Sequence, residues 1–254
     1  MSNKINRVLA LHGFTGCGED FAGFSPLCHS VDEWRCPDLP GHGPDPQLDC
    51  TPVATAQFIE ARRKDSNILL GYSMGARAAL LHALRDPEKW DALILISVNP
   101  GIACPASRIE RKKNDDLLAE EIEQSGVSAF LDFWQNTPMI RSQKAIDPNW
   151  ATKMQADRLR HIAIGLANSL RQFGQGNFPN LWPRLSQLKM PVLLMTGSSD
   201  KKYSAIAAQI IEQTRSPEVF EHFLIDGCGH MPHLESPVAC AAKIDDFLRR
   251  RLNG

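Results

Sequence analysis

Short apolar runs alternate with longer stretches of helical character along the chain. The runs at 7–12, 34–39, 67–72, 92–97, 191–196 and 219–225 predict strands, and the stretches between them predict helices that start near Thr51, Ser73, Tyr203 and Ser236. Pro52 and Pro237 stand just inside two of these starts, where a helix does not use the amide proton that proline lacks. The alternation is typical of a parallel α/β sheet.

The segment 99–185 departs from this pattern because it is helical, highly charged and without an obvious strand. We therefore predict a core domain formed by residues 1–98 and 186–254, with residues 99–185 inserted as a helical cap. The insertion follows the strand at 92–97, so the cap should close over the carboxyl ends of the strands, where open α/β sheets bind ligands. A length of 254 residues suits one such domain.

The amino-acid composition and net charge indicate which kinds of molecule the protein binds. Hydrophobic residues make up 43% of the chain and charged residues 22%, as in ordinary globular proteins. The formal charge of -1 creates no long-range field for nucleic acid or an anionic membrane, so we expect a small-molecule ligand. The polar start has no signal-peptide pattern and no apolar run is long enough to span a bilayer, which predicts a soluble cytoplasmic protein. Nothing in the sequence predicts the oligomeric state.

The seven cysteines are an odd number, widely spaced and without a CxxC pair. This spacing favours buried reduced thiols and argues against a disulfide framework or a zinc site. Cys17 and Cys228 lie near the loops discussed below and are alternative nucleophiles, but neither stands on a strand-to-helix turn beside a dedicated base.

The clearest chemical signal is the pentapeptide Gly71-Tyr72-Ser73-Met74-Gly75, which lies between an apolar strand and a helix-forming run. It matches the G-x-S-x-G nucleophile elbow, in which glycines let the strand turn sharply so that the serine hydroxyl projects into a cleft. We therefore predict an α/β-hydrolase fold, a mostly parallel sheet flanked by helices with the helical cap, and Ser73 as its catalytic serine.

Two later strands are each followed by a residue that completes a triad. Asp200 follows the strand at 191–196 and His230 follows the strand at 219–225, and the order Ser, Asp, His is the one that α/β-hydrolases use. His230 is predicted to take the proton of Ser73, and Asp200 to fix the imidazole tautomer. The rival candidates are His12 and His233 for the base and Asp226 for the acid.

The segment Leu11-His12-Gly13-Phe14-Thr15-Gly16 follows the first strand, where this fold places an oxyanion loop. We predict the N–H groups of Phe14 and Met74 as the two oxyanion donors, each of which stabilises a developing charge by about 3 to 4 kcal/mol. The alternative interpretation is an ordinary glycine-rich turn.

Several longer stretches carry a more specific likeness. They are LHGFTG at 11–16, GYSMGAR at 71–77, NPG at 99–101, ASRIERKKNDDLLA at 106–119, FLDFWQNTP at 130–138, GLANSLRQFGQG at 165–176 and SDKKY at 199–203. In these stretches, over most of its length, the chain resembles the 2-succinyl-6-hydroxy-2,4-cyclohexadiene-1-carboxylate synthases of menaquinone and phylloquinone biosynthesis.

The resemblance implies a lyase. Such an enzyme removes a proton from the cyclohexene ring of 2-succinyl-5-enolpyruvyl-6-hydroxy-3-cyclohexene-1-carboxylate and eliminates pyruvate, with no metal or organic cofactor. Ser73, activated by His230, would then be the general base, and the oxyanion hole would stabilise charge on a carboxylate or enolate.

By the same resemblance, Arg77, Arg108 and Arg160 bind the carboxylates of the substrate, since arginine offers a planar bidentate fork. Each of them has a surface ion pair or a solvated position as its alternative. Tyr72 and Trp134 are the implied aromatic pocket residues, with core packing as their alternative and with Phe133 a competing choice beside Trp134.

Two other functions remain open at this stage. The first is a serine hydrolase, a carboxylesterase or carbon–carbon bond hydrolase, that uses the same triad through an acyl-enzyme. The second is a non-catalytic member of the fold that binds a small ligand. High activity on a simple nitrophenyl ester would favour the hydrolase.

Overall fold

The computed structural model describes residues 5–252 apart from residues 144, 215 and 217. The ends of the predicted core at 1–4 and 253–254 lie outside this range. Six strands form one sheet in the order β2-β1-β3-β4-β5-β6, and every neighbouring pair is parallel. The strands are β1 (Arg7–Leu11), β2 (Glu33–Arg35), β3 (Ile68–Tyr72), β4 (Ala92–Ile96), β5 (Val192–Gly197) and β6 (Phe220–Ile225). The predicted mostly parallel α/β fold is therefore confirmed.

The second strand ends earlier than the apolar run at 34–39 predicts. The chain leaves the sheet after Arg35 because Pro37 has no N–H to donate to a neighbouring strand. The N–H of Leu39 instead donates to Nε2 of His12, at 2.9 Å. The segment after β2 is thus a loop that packs beside the end of β1.

Eight α-helices lie among the described residues. They are α1 (Pro52–Arg63), α2 (Met74–Arg85), α3 (Pro105–Trp134), α4 (Pro148–Arg158), α5 (Ala163–Phe173), α6 (Lys201–Thr214), α7 (Pro232–Glu235) and α8 (Pro237–Leu252). Oγ1 of Thr51 accepts a hydrogen bond from the N–H of Ala54 at 3.2 Å, and so caps α1. α6 begins two residues before the predicted start at Tyr203.

The sheet is buried on both faces. Side chains alternate along each strand, so that Leu9 and Leu69 point to the layer formed with α1, α2 and α6, whereas Val8 and Ile68 point to the layer formed with α8. Burial on both faces explains why the central strands read as continuous apolar runs.

The segment predicted as the cap, residues 99–185, contains α3, α4 and α5, and no strand among its described residues. Gly126, at φ 81°, interrupts α3. The cap has its own small apolar cluster, in which Phe130 of α3 and Leu166 of α5 pack together with Phe14 from the loop after β1. The cap therefore lies against the carboxyl end of the sheet. Within the described range, no helix is both long and apolar enough to cross a membrane.

Candidate active site

The turn between β3 and α2 has a strained backbone at Ser73. Its φ and ψ are 52° and -105°, and its N–H donates to the carbonyl of Ile96 at 2.9 Å. A Cβ at position 71 would lie 2.4 Å from the carbonyl oxygen of Gly75, and one at position 75 would lie 2.1 Å from the carbonyl oxygen of Leu11. Only glycine fits at these two positions, and the tight turn lifts the Ser73 side chain to the edge of the sheet.

Ser73, His230 and Asp200 form a hydrogen-bonded chain. Oγ of Ser73 lies 3.0 Å from Nε2 of His230, and Nδ1 of His230 lies 2.6 Å from Oδ2 of Asp200. The carboxylate accepts the Nδ1 proton, which leaves Nε2 as the acceptor for the serine hydroxyl. The His230 side chain is 2% exposed and that of Asp200 is 12% exposed. The structure thus brings together the three residues that the chain order predicted.

The rival base His12 is used elsewhere. Its Nε2 accepts from the N–H of Leu39 and its Nδ1 donates to the carbonyl of Gly13 at 2.8 Å, so both ring nitrogens are engaged. Burial lowers the pKa of His12 to about 4. The neutral ring therefore holds the loop after β1 against the loop after β2.

The rivals His233 and Asp226 lie apart from the serine. His233 is fully buried, its ring centroid 4.7 Å from that of Tyr72 and 5.7 Å from that of Phe21, and burial lowers its pKa to about 3. Asp226 is exposed and accepts a hydrogen bond from the Ser198 hydroxyl at 3.1 Å. Packing accounts for the histidine and surface hydrogen bonding for the aspartate.

The two cysteines near the site are poor nucleophiles. All seven cysteines are free thiols. Burial raises the pKa of Cys17 to about 12, and burial also raises the pKa of Cys228. Since the thiolate is the reactive form, both groups are inert near neutral pH.

The predicted oxyanion loop lines the same cavity as Ser73. The N–H of Gly16 donates to the carbonyl of Gly13 at 3.0 Å, and Thr15 has a φ of 65°, which together define a tight turn around Phe14. Met74 is the first residue of α2, so its N–H is one of those that a helix leaves without an intrahelical partner. Phe14 and Met74 both line the cavity.

Three arginines line this cavity: Arg77, Arg111 and Arg158. Arg77 is 7% exposed, its Nη2 donates to the carbonyl of Phe173 at 3.0 Å, and burial lowers its pKa to about 10. It therefore keeps its charge near neutral pH. Nη2 of Arg158 donates to Oε1 of Gln143 at 3.1 Å.

Two of the arginines implied by the resemblance do not line the cavity. The side chain of Arg160 is 58% exposed and lies 3.5 Å from Asp157 in an ion pair. α4 ends at Arg158, and the turn that follows directs position 160 to solvent, whereas Arg158 is only 8% exposed. The structure therefore places Arg158, and not Arg160, in the lining of the cavity.

Arg108 is half-buried near the start of α3, outside the cavity lining. Arg111 is three residues later, about 4.5 Å further along the helix, and is the basic residue of this stretch that lines the cavity. Its Nε lies 2.7 Å from Oδ1 of Asp115. Several basic residues share this segment, so the sequence offered no means of selecting Arg111.

The predicted aromatic residues Tyr72 and Trp134 both line the cavity, while Phe133 is 56% exposed. The ring of Trp134 lies 5.5 Å from that of Phe14, edge to face. A further aromatic residue, Tyr203, lies 4.5 Å from the His230 ring, although the sequence indicated it only as part of a resembling stretch.

The cavity is cationic. Among its described lining residues, Asp20 is the one carboxylic acid, and Arg111 is paired with Asp115, which lies outside the lining. Burial raises the pKa of Asp20 to about 6, and the charge of Arg158 acts in the opposite direction. The positive charges of the buried Arg77 and Arg158 favour an anionic ligand.

Comparison with known proteins agrees with this fold. A sequence profile of the alpha/beta hydrolase family matches residues 8–243, so the chain is an alpha/beta hydrolase. A Bacillus subtilis (strain 168) protein, provisionally named 2-succinyl-6-hydroxy-2,4-cyclohexadiene-1-carboxylate synthase, is 32% identical over 254 residues, covering 97% of this chain and 91% of that protein. Within the alpha/beta hydrolases, the chain belongs to the family of this synthase, as the resemblance predicted.

Two further comparisons, one with a sequence and one with a solved structure, also agree with membership of this synthase family. The 2-succinyl-6-hydroxy-2,4-cyclohexadiene-1-carboxylate synthase of Serratia proteamaculans (strain 568) is 27% identical over 249 residues, covering 95% of this chain and 92% of that protein. The solved structure of MenH from S. aureus has a TM-score of 0.86 and 29% identity, covering 98% of this chain and 96% of that one.

Proposed function

We propose that the protein eliminates pyruvate from 2-succinyl-5-enolpyruvyl-6-hydroxy-3-cyclohexene-1-carboxylate to give 2-succinyl-6-hydroxy-2,4-cyclohexadiene-1-carboxylate, a step of menaquinone or phylloquinone biosynthesis. The observation that carries this proposal is that three arginines line the cavity that also contains Ser73 and His230. The substrate has several carboxylates, and guanidinium groups bind carboxylates through two parallel hydrogen bonds. A simple esterase would have no use for such a set of cations.

In the proposed reaction, Oγ of Ser73 removes a proton from a ring carbon while the hydroxyl proton of Ser73 moves to Nε2 of His230. The electron pair of the broken C–H bond at C2 forms the C2–C3 double bond, the electrons of the existing C3–C4 double bond move to C4–C5, and the C–O bond to the enolpyruvyl group at C5 breaks. The leaving group departs as the enolate of pyruvate and takes a proton from His230. Serine and imidazole return to their starting states, and Asp200 stabilises the transient imidazolium.

The N–H groups of Phe14 and Met74 stabilise the negative charge that develops on an enolate oxygen of the substrate during proton removal. Both lie on backbone that is fixed before the substrate binds, Phe14 by the turn after β1 and Met74 by the start of α2. Preorganised donors of this kind each contribute about 3 to 4 kcal/mol.

The three arginines and two aromatic residues divide the recognition of the substrate. Arg77, Arg111 and Arg158 pair with carboxylates, and Tyr72 and Trp134 cover the apolar faces of the ring. The residues named in this scheme supply every group that the elimination requires. Arg108 and Arg160 have no role in it.

The test is direct: freshly prepared substrate is added to the purified protein, and pyruvate release and diene absorbance are followed. We expect wild type to exceed the spontaneous rate, and we expect Ser73→Ala to abolish the excess. Wild type at the spontaneous rate would contradict the proposal. In that case hydrolysis of nitrophenyl esters would test the serine hydrolase that shares this triad.

A further inference from the structure

The hydroxyl group of Tyr203 lies at the end of a chain of hydrogen bonds that begins at a backbone amide. The N–H of Gly101 donates to Oδ1 of Asn99 at 3.0 Å, and Nδ2 of Asn99 lies 3.5 Å from Oε1 of Gln175. Nε2 of Gln175 in turn lies 3.1 Å from the hydroxyl oxygen of Tyr203. Asn99, Gln175 and Tyr203 are all buried. The chain of bonds therefore runs through the interior to the catalytic cavity, which Gln175 and Tyr203 both line.

The backbone amide fixes the direction of every bond in this chain. A backbone N–H can only donate, so Asn99 presents its carbonyl oxygen to Gly101 and its NH₂ group to Gln175. Gln175 must then present its own carbonyl oxygen to Asn99 and its NH₂ group to Tyr203. The Tyr203 oxygen is thus the acceptor of that bond, and its proton remains for a different partner. Within the described part of the chain, no acceptor is bonded to this proton.

The hydroxyl of Tyr203 has cationic surroundings. Tyr203 lines the cavity together with Ser73, Arg77 and Arg111. Burial raises the pKa of Tyr203, and the positive charge of Arg77, followed by that of Arg111, acts in the opposite direction. The hydroxyl therefore stays protonated at neutral pH and is a neutral donor beside two cations. A buried donor without an acceptor destabilises the free protein, so we expect its acceptor to enter with the ligand.

The ring of Tyr203 makes contacts that do not involve its hydroxyl. The ring centroid lies 4.5 Å from that of His230, and the backbone N–H of Tyr203 donates to Oδ1 of Asp200 at 3.2 Å. A phenylalanine at this position would keep both contacts. The hydroxyl can therefore be removed without loss of the ring that packs against the triad histidine.

We propose that Tyr203 is a further substrate-binding residue, whose hydroxyl, oriented by Gln175, donates a hydrogen bond to a carboxylate oxygen that also pairs with Arg77. The inference deepens the proposed function and rests on it for the polycarboxylate nature of the substrate. A carboxylate has about four lone-pair sites, so a guanidinium fork leaves room for a neutral donor on the same group. Gln175 is a positioning residue in this arrangement, because it acts through the tyrosine.

Tyr203→Phe removes the hydroxyl oxygen alone and tests the donor directly. We expect KM to rise about 10- to 100-fold with kcat nearly unchanged, which is the range for one hydrogen bond to a charged group that is made equally in the bound substrate and in the transition state. A KM within about twofold of the wild-type value would overturn the proposal.

Gln175→Met tests the orienting group, with Gln209→Met as its matched control. Gln209 is exposed on α6 and lies outside the cavity lining. We expect Gln175→Met to raise KM about 2- to 10-fold, the range for one neutral hydrogen bond, and Gln209→Met to keep the wild-type constants. The double variant Gln175→Met, Tyr203→Phe should be no worse than Tyr203→Phe alone, since both changes act on the same hydroxyl. Losses that multiply would contradict the role of Gln175.

A role of the hydroxyl in the triad itself would give a different result. The rate at which a fluorophosphonate labels Ser73 depends on the assembled triad but does not require the natural substrate. Labelling of Tyr203→Phe at the wild-type rate, together with a raised KM, supports direct contact between the hydroxyl and the substrate. Slower labelling with an unchanged KM would refute it.

Binding measurements without turnover separate this proposal from the proposed function. Calorimetry gives the Kd of two probes: 2-succinylbenzoate, a stable dicarboxylate that differs from the proposed product by the loss of water, and pyruvate, the proposed leaving group. We expect Tyr203→Phe to weaken one of them by about tenfold or more, and the probe that is weakened identifies the portion of the substrate that carries the bound carboxylate. Such a loss supports the role of Tyr203 even if wild type releases no pyruvate. Equal binding of both probes by wild type and Tyr203→Phe would overturn it, as would a wild type that binds neither.

Discussion

Replacement of Arg158 by alanine should lower kcat/KM far more than replacement of Arg160 by alanine. Arg158 is 8% exposed, lines the cavity and bonds to Gln143, whereas the Arg160 side chain is 58% exposed and pairs with Asp157. The two residues share a chain segment and a charge. A comparison between them therefore isolates the position of the guanidinium.

The expected magnitude follows from the kind of contact that is lost. A hydrogen bond to a charged group contributes about 1.5 to 3 kcal/mol, which corresponds to a loss of about 10- to 150-fold in kcat/KM. Removal of Arg158 also takes away the cation that lowers the pKa of Asp20, so the pKa of Asp20 should rise above its present value of about 6. An exposed ion pair such as that of Arg160 contributes less than about 1 kcal/mol, so kcat/KM should change less than about fivefold.

The assay is initial-rate pyruvate release over a range of substrate concentrations for wild type, Arg158→Ala, Arg158→Lys and Arg160→Ala. We expect the lysine variant to recover only part of the loss, because lysine keeps the charge without the planar fork. The reasoning is refuted if Arg160→Ala loses tenfold or more while Arg158→Ala stays within twofold of wild type. The position that the resemblance implied would then be correct.

Three further outcomes are expected. Ser73→Ala should slow elimination by about 10²- to 10⁴-fold with an unchanged melting temperature, as measured by pyruvate release and circular dichroism. Trp134→Ala should raise KM severalfold, whereas Phe133→Ala, at a 56% exposed neighbour, should leave KM within twofold. Burial holds the pKa of His233 at about 3 in the folded protein, whereas the unfolded chain protonates this histidine near pH 6.5. Its contribution to the free energy of unfolding is therefore complete above pH 6.5 and is lost as the pH falls. Between pH 6.5 and 4, the free energy of unfolding measured with denaturant should fall by about 3 kcal/mol less in His233→Phe than in wild type. Equal losses in the two proteins would contradict this prediction.

The parts of the fold that the sequence predicted are those where one local rule decides the outcome. Buried parallel strands must be apolar on both faces, so five of the six strands appear as runs within one or two residues of their observed bounds. The prediction of the nucleophile elbow also depends on a local rule, since only glycine fits two residues before and two residues after Ser73. The exception, β2, ends where Pro37 interrupts the pairing, and its apolar run continues as a loop.

Which residues line the cavity depends on how elements that are far apart in the sequence pack together and on where helices end. Arg108 and Arg111 lie on one helix, and which of them reaches the cavity depends on how α3 packs against α5 and the loop at Phe14. The choice between Arg158 and Arg160 depends on where α4 ends, and helix ends are hard to place from sequence. Residue type was therefore predictable at these positions, whereas the residue number was not.

The arginines that face the cavity also separate this site from other sites with the same triad. Among the described residues, Nε of Arg77 and Nε of Arg158 are both buried without a hydrogen-bond partner. A buried N–H without a partner destabilises a fold, although Nη2 of each of these guanidinium groups is bonded to a protein oxygen. Bound carboxylates would satisfy both groups and remove that penalty. This cost to the free protein is a physical reason to expect an anionic ligand beside Arg77 and Arg158.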